Sequence, residues 1–323
     1  MEHFTLTKTQ DYWEKMARNF GIGTRDMESA GRQFAARAYA GRAYSSIKTQ
    51  GERFKLFVDF IKERGLNKLE KVTAEVVRDY ARDMLDRDLS PATMQNNLSA
   101  VNVILEEARG DNLCRVTARE VDLPSRTGVA REFKGNEEID HASTKAQAIY
   151  GLAQTLGLRF EEASKLDLIR AEREMERDFL HVEYGTKGGQ SRDVPLTDQA
   201  REAISRAREI AREQNTRNLI ERDKTYRDHQ RDLYREGIRF HAGRHEYANQ
   251  RYSELMHQRG IETQSPVLSD KPADQAWSAY LAEKSGLTQR EAREIDREAR
   301  FELSRELGHH REDVVSAYIG GQN

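Results

Sequence analysis

The chain has 323 residues, 37% hydrophobic and 33% charged, which is enough for two domains that each bury a core. Cys114 is the single cysteine, which excludes an intramolecular disulfide and a cysteine-based zinc site, and no stretch approaches the about 20 apolar residues of a membrane span. With 53 basic against 55 acidic residues, the net charge of −2 does not announce a nucleic-acid binder, although folding can sort a balanced set into a basic face. The opening "MEHFTLTKTQ" is polar and acid-containing, unlike a signal peptide, so a cytoplasmic location is expected.

Proline is scarce, at five residues, and the patterns are mainly helical. Residues 1–27 read as an N-terminal extension. The stretch 28–65 reads as two helices meeting near "GRAYSS", where Ser45 or Ser46 can cap the second. In "TAEVVRDYARDMLDRD", Thr73 is a good N-cap and Val76, Val77, Tyr80 and Met84 recur at helical spacing. Next, in "SPATMQNNLSAVNVILEEAR", Ser90 caps, Pro91 takes the first helical position, and Met94, Leu98, Val101 and Leu105 form one apolar stripe. Residues 28–109 are thus expected to form a four-helix unit.

Helical period is lost over 110–135, which reads as an interdomain linker, and resumes near 142. A second domain, 136–323, follows. Two short β-like runs, 179–184 and 191–196, flank a Gly-Gly turn and predict a hairpin. Thr197 can cap the next helix, and helices continue through most of the remainder. The expected fold is mainly α with one small β-hairpin.

Four places carry chemistry. They are Arg159 with Glu162 in "TLGLRFEEASKL", Lys187 at the hairpin tip, His241, Arg244 and His245 in "HAGRHEY", and His309 with Tyr318 in the last segment. Taken singly, each has an ordinary reading: a surface ion pair, a turn lysine, core or capping histidines, an apolar anchor. Taken together, two arginines and a lysine make an anion trap, since guanidinium forks match phosphate oxygens in pairs. Histidines carry protons near neutrality, and a tyrosine is a nucleophile once its proton is removed. The set suggests phosphoryl transfer to a tyrosine, with arginines neutralising the charge that develops on phosphorus. No usual metal-ligand spacing is present, and neither a metal nor a cofactor is expected.

The order R…K…HxxR…LGH…Y, with Tyr318 nine positions after His309, resembles the tyrosine recombinases, or phage integrase family. "GLRFEEASKL" is similar to the family's first-arginine box, "GTKGGQSRDVPL" to its lysine hairpin, "HAGRH" to its H-x-x-R-H box, and "LGHHREDVVSAYIG" to its closing box. The resemblance implies a helical core-binding domain over 28–109 and a mixed α/β catalytic domain over 136–323. It also implies a site-specific DNA recombinase acting without metal or ATP, most simply in integration or excision of a mobile element. Tyr318 would attack the scissile phosphate to form a 3′-phosphotyrosyl link, and Arg159 and Arg244 would grip its oxygens. Lys187 would protonate the leaving 5′-oxygen and His309 would donate to the phosphate. His241 would help move the tyrosine proton, with Glu162 and His245 in support. The implied partners are double-stranded DNA with paired sites, a tetramer of this chain, and accessory DNA-bending or directionality proteins. Lys48, Arg53, Lys55, Gln95 and Asn96 are candidate DNA contacts.

Three departures from the family pattern stand out. His241 and His309 are 68 positions apart, which implies a helical insertion around 258–300. Gly243 stands where the family favours a bulky apolar residue, and five residues follow Tyr318, leaving almost no C-terminal helix to exchange between neighbours. The competing readings are a type IB topoisomerase, which relaxes DNA without exchanging strands between sites, a catalytically silent DNA-binding protein, and a helical regulator that binds no DNA.

Overall fold

The computed structural model describes residues 18–126, 129–130, 133, 135, 138–186, 189–309 and 311–321. The chain divides into one unit ending at residue 127 and a second starting at residue 128. The first unit is built from α1 (Met27–Ala38), α2 (Tyr44–Glu63), α3 (Ala74–Asp86) and α4 (Pro91–Arg109). Asp26, Thr73 and Ser90 each accept a backbone N–H through the side chain at a helix start, and Pro91 follows Ser90 as the first helical residue. The start of α2 differs from expectation. Its N-cap is Ala43, which makes no side-chain capping bond, so Ser45 and Ser46 fall inside the first turn and do not cap.

Phe54, Phe57, Phe60 and Tyr80 fill the core of this unit, with Tyr80 edge-on to Phe57 and Phe60 at 5.3 and 5.2 Å. Burying each such ring contributes about 1.5–3 kcal/mol. The stripe Met94, Leu98, Val101 and Leu105 faces the same core. So do Cys114, Val116 and Leu123, which means that this part of the segment read as linker packs with the first unit. Asn102 pins it, donating to the Val116 carbonyl at 2.7 Å and accepting from the Val116 N–H at 3.1 Å.

The second unit continues with α5 (Thr144–Leu156), α6 (Phe160–Lys165) and α7 (Leu168–Glu174), then strands β1 (Phe179–Val182) and β2 (Arg192–Pro195). The strands pair antiparallel, with Phe179 opposite Pro195 and Val182 opposite Arg192. There follow α8 (Asp198–Glu213), capped by Thr197 as expected, α9 (Tyr226–Tyr234), α10 (Phe240–Gln258), α11 (Trp277–Ser285), α12 (Gln289–Glu306) and α13 (Glu312–Ile319). The fold is mainly helical with one small two-stranded sheet. Among the described residues, no helix is long and apolar enough to cross a membrane.

Helix α10 runs through the middle of this unit and packs against α5, α12 and α13. Gly243 permits the approach to α5. A Cβ there would stand 3.0 Å from the Tyr150 carbonyl oxygen and 3.2 Å from both the Ala153 Cβ and the Gln154 nitrogen. The bulkier residue expected from the family pattern has no room at this crossing. The segment read as an insertion does not stand apart either: Trp277, Leu281, Ala292 and Ala299 are buried in the same core.

Candidate active site

Helix α5 ends at Gly157, whose φ of 59° lies in the left-handed region and whose missing Cβ leaves room for the Tyr247 ring, 2.6 Å from where a Cβ would be. That turn sets Arg159 at the start of α6. Glu162, one turn into α6, accepts the Arg159 backbone N–H at 2.8 Å and its Nη1 at 2.7 Å. The same carboxylate takes a two-pronged bond from Arg192 on β2, at 2.9 and 2.7 Å. Arg192 Nε in turn donates to the Glu306 carbonyl at 2.6 Å, tying the hairpin to the end of α12. Burial opposes the charge on Glu162, but Arg192 first and Arg159 next outweigh it and hold the carboxyl near pKa 2.

Helix α10 carries His241, Arg244 and His245 at positions i, i+3 and i+4, so they share one face. Arg244 is fully buried. Its Nε donates to the Tyr318 hydroxyl oxygen at 3.2 Å, its Nη1 donates to the Gly157 carbonyl, and its Nη2 donates to the Leu307 carbonyl and stands 3.1 Å from His309 Nε2. Burial pushes the guanidinium down to a pKa of about 10, which leaves it protonated at neutral pH. Arg159 Nη2 reaches the same Leu307 carbonyl at 3.4 Å. One carbonyl therefore gathers the first-arginine box, the HxxR box and the LGH box.

Tyr318 is 6% exposed and projects from α13 into this cluster. His309 Nε2 stands 3.3 Å from its hydroxyl. The His241, His245 and His309 rings surround the phenol with centroids at 5.5, 4.9 and 5.9 Å. His241 keeps an open side, yet loss of hydration against its neighbours, then the charges of His245 and Arg244, hold its imidazole below the ordinary value. Burial also lowers His245, against an opposing bond to the Tyr318 backbone. The structure thus brings together Arg159, Glu162, His241, Arg244, His245, His309 and Tyr318. Lys187 lies outside the described residues.

Two contributors went unread in the sequence. Arg192 is one strand residue among many arginines and belongs to no motif of its own. Its signal was the inward position in β2, whose buried and exposed residues alternate. The other is Asn249, buried on α10, which donates to the Tyr318 carbonyl at 3.2 Å and to the His245 carbonyl at 2.7 Å. It follows Arg244 by five residues in an otherwise unmarked stretch.

The candidate DNA contacts all lie in the first unit. Lys48 is exposed, 3.5 Å from Glu52. Arg53 bonds to Gln50 at 3.4 Å and Lys55 to Asp59 at 2.6 Å. On α4, Gln95 donates to the Pro124 carbonyl at 2.7 Å and Asn96 accepts from Arg126 at 2.8 Å.

A family model described as Integrase matches residues 127–253. No curated protein matches the sequence. Among solved structures, the Tn1549 transposon integrase in complex with transposon right-end DNA superposes with a TM-score of 0.52 at 11% identity, over 89% of this chain and 94% of that one. The same integrase with a circular-intermediate DNA gives 0.53 at 12% identity, over 89% and 94%. A lambda integrase dimer bound to a COC′ core site gives 0.48 at 14% identity, over 91% and 81%. At such identities the likeness to the Tn1549 enzyme speaks to the fold. In that fold, in the Integrase match over residues 127–253 and in the ordered R…HxxR…LGH…Y set gathered on one tyrosine, the chain is similar to the tyrosine recombinase, or phage integrase, family.

Proposed function

We propose that this protein is a site-specific DNA recombinase that cuts and rejoins strands through a 3′-phosphotyrosyl intermediate. The observation that carries the reading is Arg244: fully buried, charged, and hydrogen-bonded at once to the Tyr318 hydroxyl and to His309. A guanidinium donating to the phenol oxygen holds that oxygen in place for attack. The Tyr318 oxygen attacks the scissile phosphorus, an O–P bond forms, and the bond to the 5′-oxygen breaks. In place of His241, the proton carrier that the family resemblance implies, His309 takes the phenolic proton, because its Nε2 stands 3.3 Å from the hydroxyl. His241, held neutral at pH 7, lines the opening beside it. Arg159 and Arg244 offset the charge developing on the non-bridging oxygens, fixed in advance by Glu162 and the Leu307 carbonyl. Lys187 protonates the departing 5′-oxygen. Attack by a 5′-hydroxyl from a partner strand reverses the chemistry and exchanges strands.

In this reading the first unit is the core-binding domain, with Lys48, Arg53, Lys55, Gln95 and Asn96 toward the DNA, and the second is the catalytic domain. The working assembly is a tetramer on two duplex sites, acting on a mobile element with accessory DNA-bending or directionality proteins, in the cytoplasm at the nucleoid. The Tn1549 integrase, whose fold this chain shares, is a transposon enzyme seen on transposon-end DNA. The test is a nicked suicide duplex carrying the element's junction sequence. Wild-type protein is expected to form a covalent adduct that maps to Tyr318 by mass spectrometry, and Tyr318→Phe to bind the DNA and form none. Binding without an adduct in the wild type would favour the silent DNA-binding reading. Supercoil relaxation without two-site exchange would favour a topoisomerase.

A further inference from the structure

Helix α13, which carries the tyrosine, is eight residues long, and its N-cap Arg311 makes no side-chain capping bond. A helix this short has little stability of its own, so the direction of Tyr318 depends on what grips the segment. The grip at its far end comes from α12. Arg300 is 1% exposed, and its Nη1 donates to the Gly320 carbonyl at 3.1 Å and to the Ser316 hydroxyl at 3.3 Å. Its Nε donates to both oxygens of Asp296, at 2.9 and 3.0 Å. Asp296 is itself held by the Tyr252 hydroxyl on α10 and by Trp277 Nε1 on α11, the latter at 3.2 Å. One guanidinium therefore joins the end of the tyrosine helix to three others.

A buried ion pair is a costly way to fill this space. Replacing such a pair by well-packed apolar residues is often neutral or stabilising, because desolvation offsets the attraction. Arg300 carries a further cost, since its Nη2 finds no acceptor among the described residues. Stability alone does not call for an arginine here. An apolar side chain, however, cannot hold a carbonyl and a hydroxyl of α13 at fixed positions.

We propose that Arg300, aimed by Asp296, is a positioning residue that keeps the Tyr318 hydroxyl in register with Arg244 and His309. This rests on the reading of Tyr318 as the nucleophile. Asn249, on the Tyr318 carbonyl, steadies the same segment from α10. In-line attack tolerates little displacement, and misplacement by about 1 Å can cost on the order of 100-fold in rate.

The experiment uses full-length protein and the nicked suicide duplex at saturating concentration, measuring single-turnover adduct formation beside gel-shift affinity and melting temperature. The variant D296N/R300M removes both charges, so no buried carboxylate is left unpaired. Ser316→Ala, at a partly exposed position, removes one acceptor and leaves the core intact. The paired variant is expected to slow adduct formation by about 10–100-fold, with affinity within about twofold and melting temperature unchanged, and S316A by about threefold. Should the paired variant fail to fold, S316A decides alone. Wild-type rates in the folded variants, or slowing fully accounted for by lost DNA affinity, would overturn the positioning role while the nucleophile reading stands. No adduct from the wild type would overturn both.

Discussion

Glu162→Gln tests the electrostatic frame behind the site. The carboxylate accepts four hydrogen bonds, two from Arg159 and two from Arg192, and is fully buried. Its pKa falls from 4.5 to about 2 on folding, the balance of burial, which raises it, against the two arginines, which lower it more. A fall of that size corresponds to about 3 kcal/mol of stability at neutral pH. Breaking a buried pair by removing one partner costs about 3–5 kcal/mol, which agrees. The sign follows from the lowered value: this stabilisation is complete above pH 4.5 and is lost as the pH falls toward 2. Urea unfolding of the second unit should therefore show Glu162→Gln less stable by about 3 kcal/mol at pH 7, with the gap smaller by about 2 kcal/mol at pH 3. A gap below about 1 kcal/mol at pH 7, or one unchanged down to pH 3, would refute the assignment of Glu162 as a charged anchor.

Two further substitutions address geometry. Arg244→Lys replaces a fork with a single ammonium, which cannot reach the Tyr318 hydroxyl, His309 and the Gly157 and Leu307 carbonyls together. Adduct formation is expected to fall by about 10²–10³-fold with DNA still bound, and normal turnover would contradict its role. Gly243→Ala drives a Cβ to 3.0 Å from the Tyr150 carbonyl oxygen, and thermal unfolding should show a loss of about 1–3 kcal/mol from overpacking of α5 on α10.

Much of the local structure was legible because its causes are local. Thr73, Ser90 and Thr197 cap as their side chains dictate, and the Met94–Leu105 stripe faces inward because period and burial agree. Ser45 and Ser46 misled because a helix start is also set by tertiary packing, and α2 begins at Tyr44 without a side-chain cap. The segment read as linker lacks periodicity and the one read as an insertion has it, yet the apolar residues of both are taken up by cores whose other walls lie far away in sequence.

The candidate site divides the same way. Residue types and their joint order singled out Arg159, His241, Arg244, His309 and Tyr318: each alone has an ordinary reading, but the chemistry of each side chain is fixed by its type, and the set in that order points to one reaction. Which cations serve that chemistry was decided by the tertiary structure: Arg192 on Glu162, Arg300 under the tyrosine helix, and a single carbonyl, Leu307, shared by Arg159 and Arg244. In a chain with 53 basic residues a guanidinium carries no mark of its future partner. The partner is set by burial and by approach within about 3 Å, and those exist only once the helices have packed.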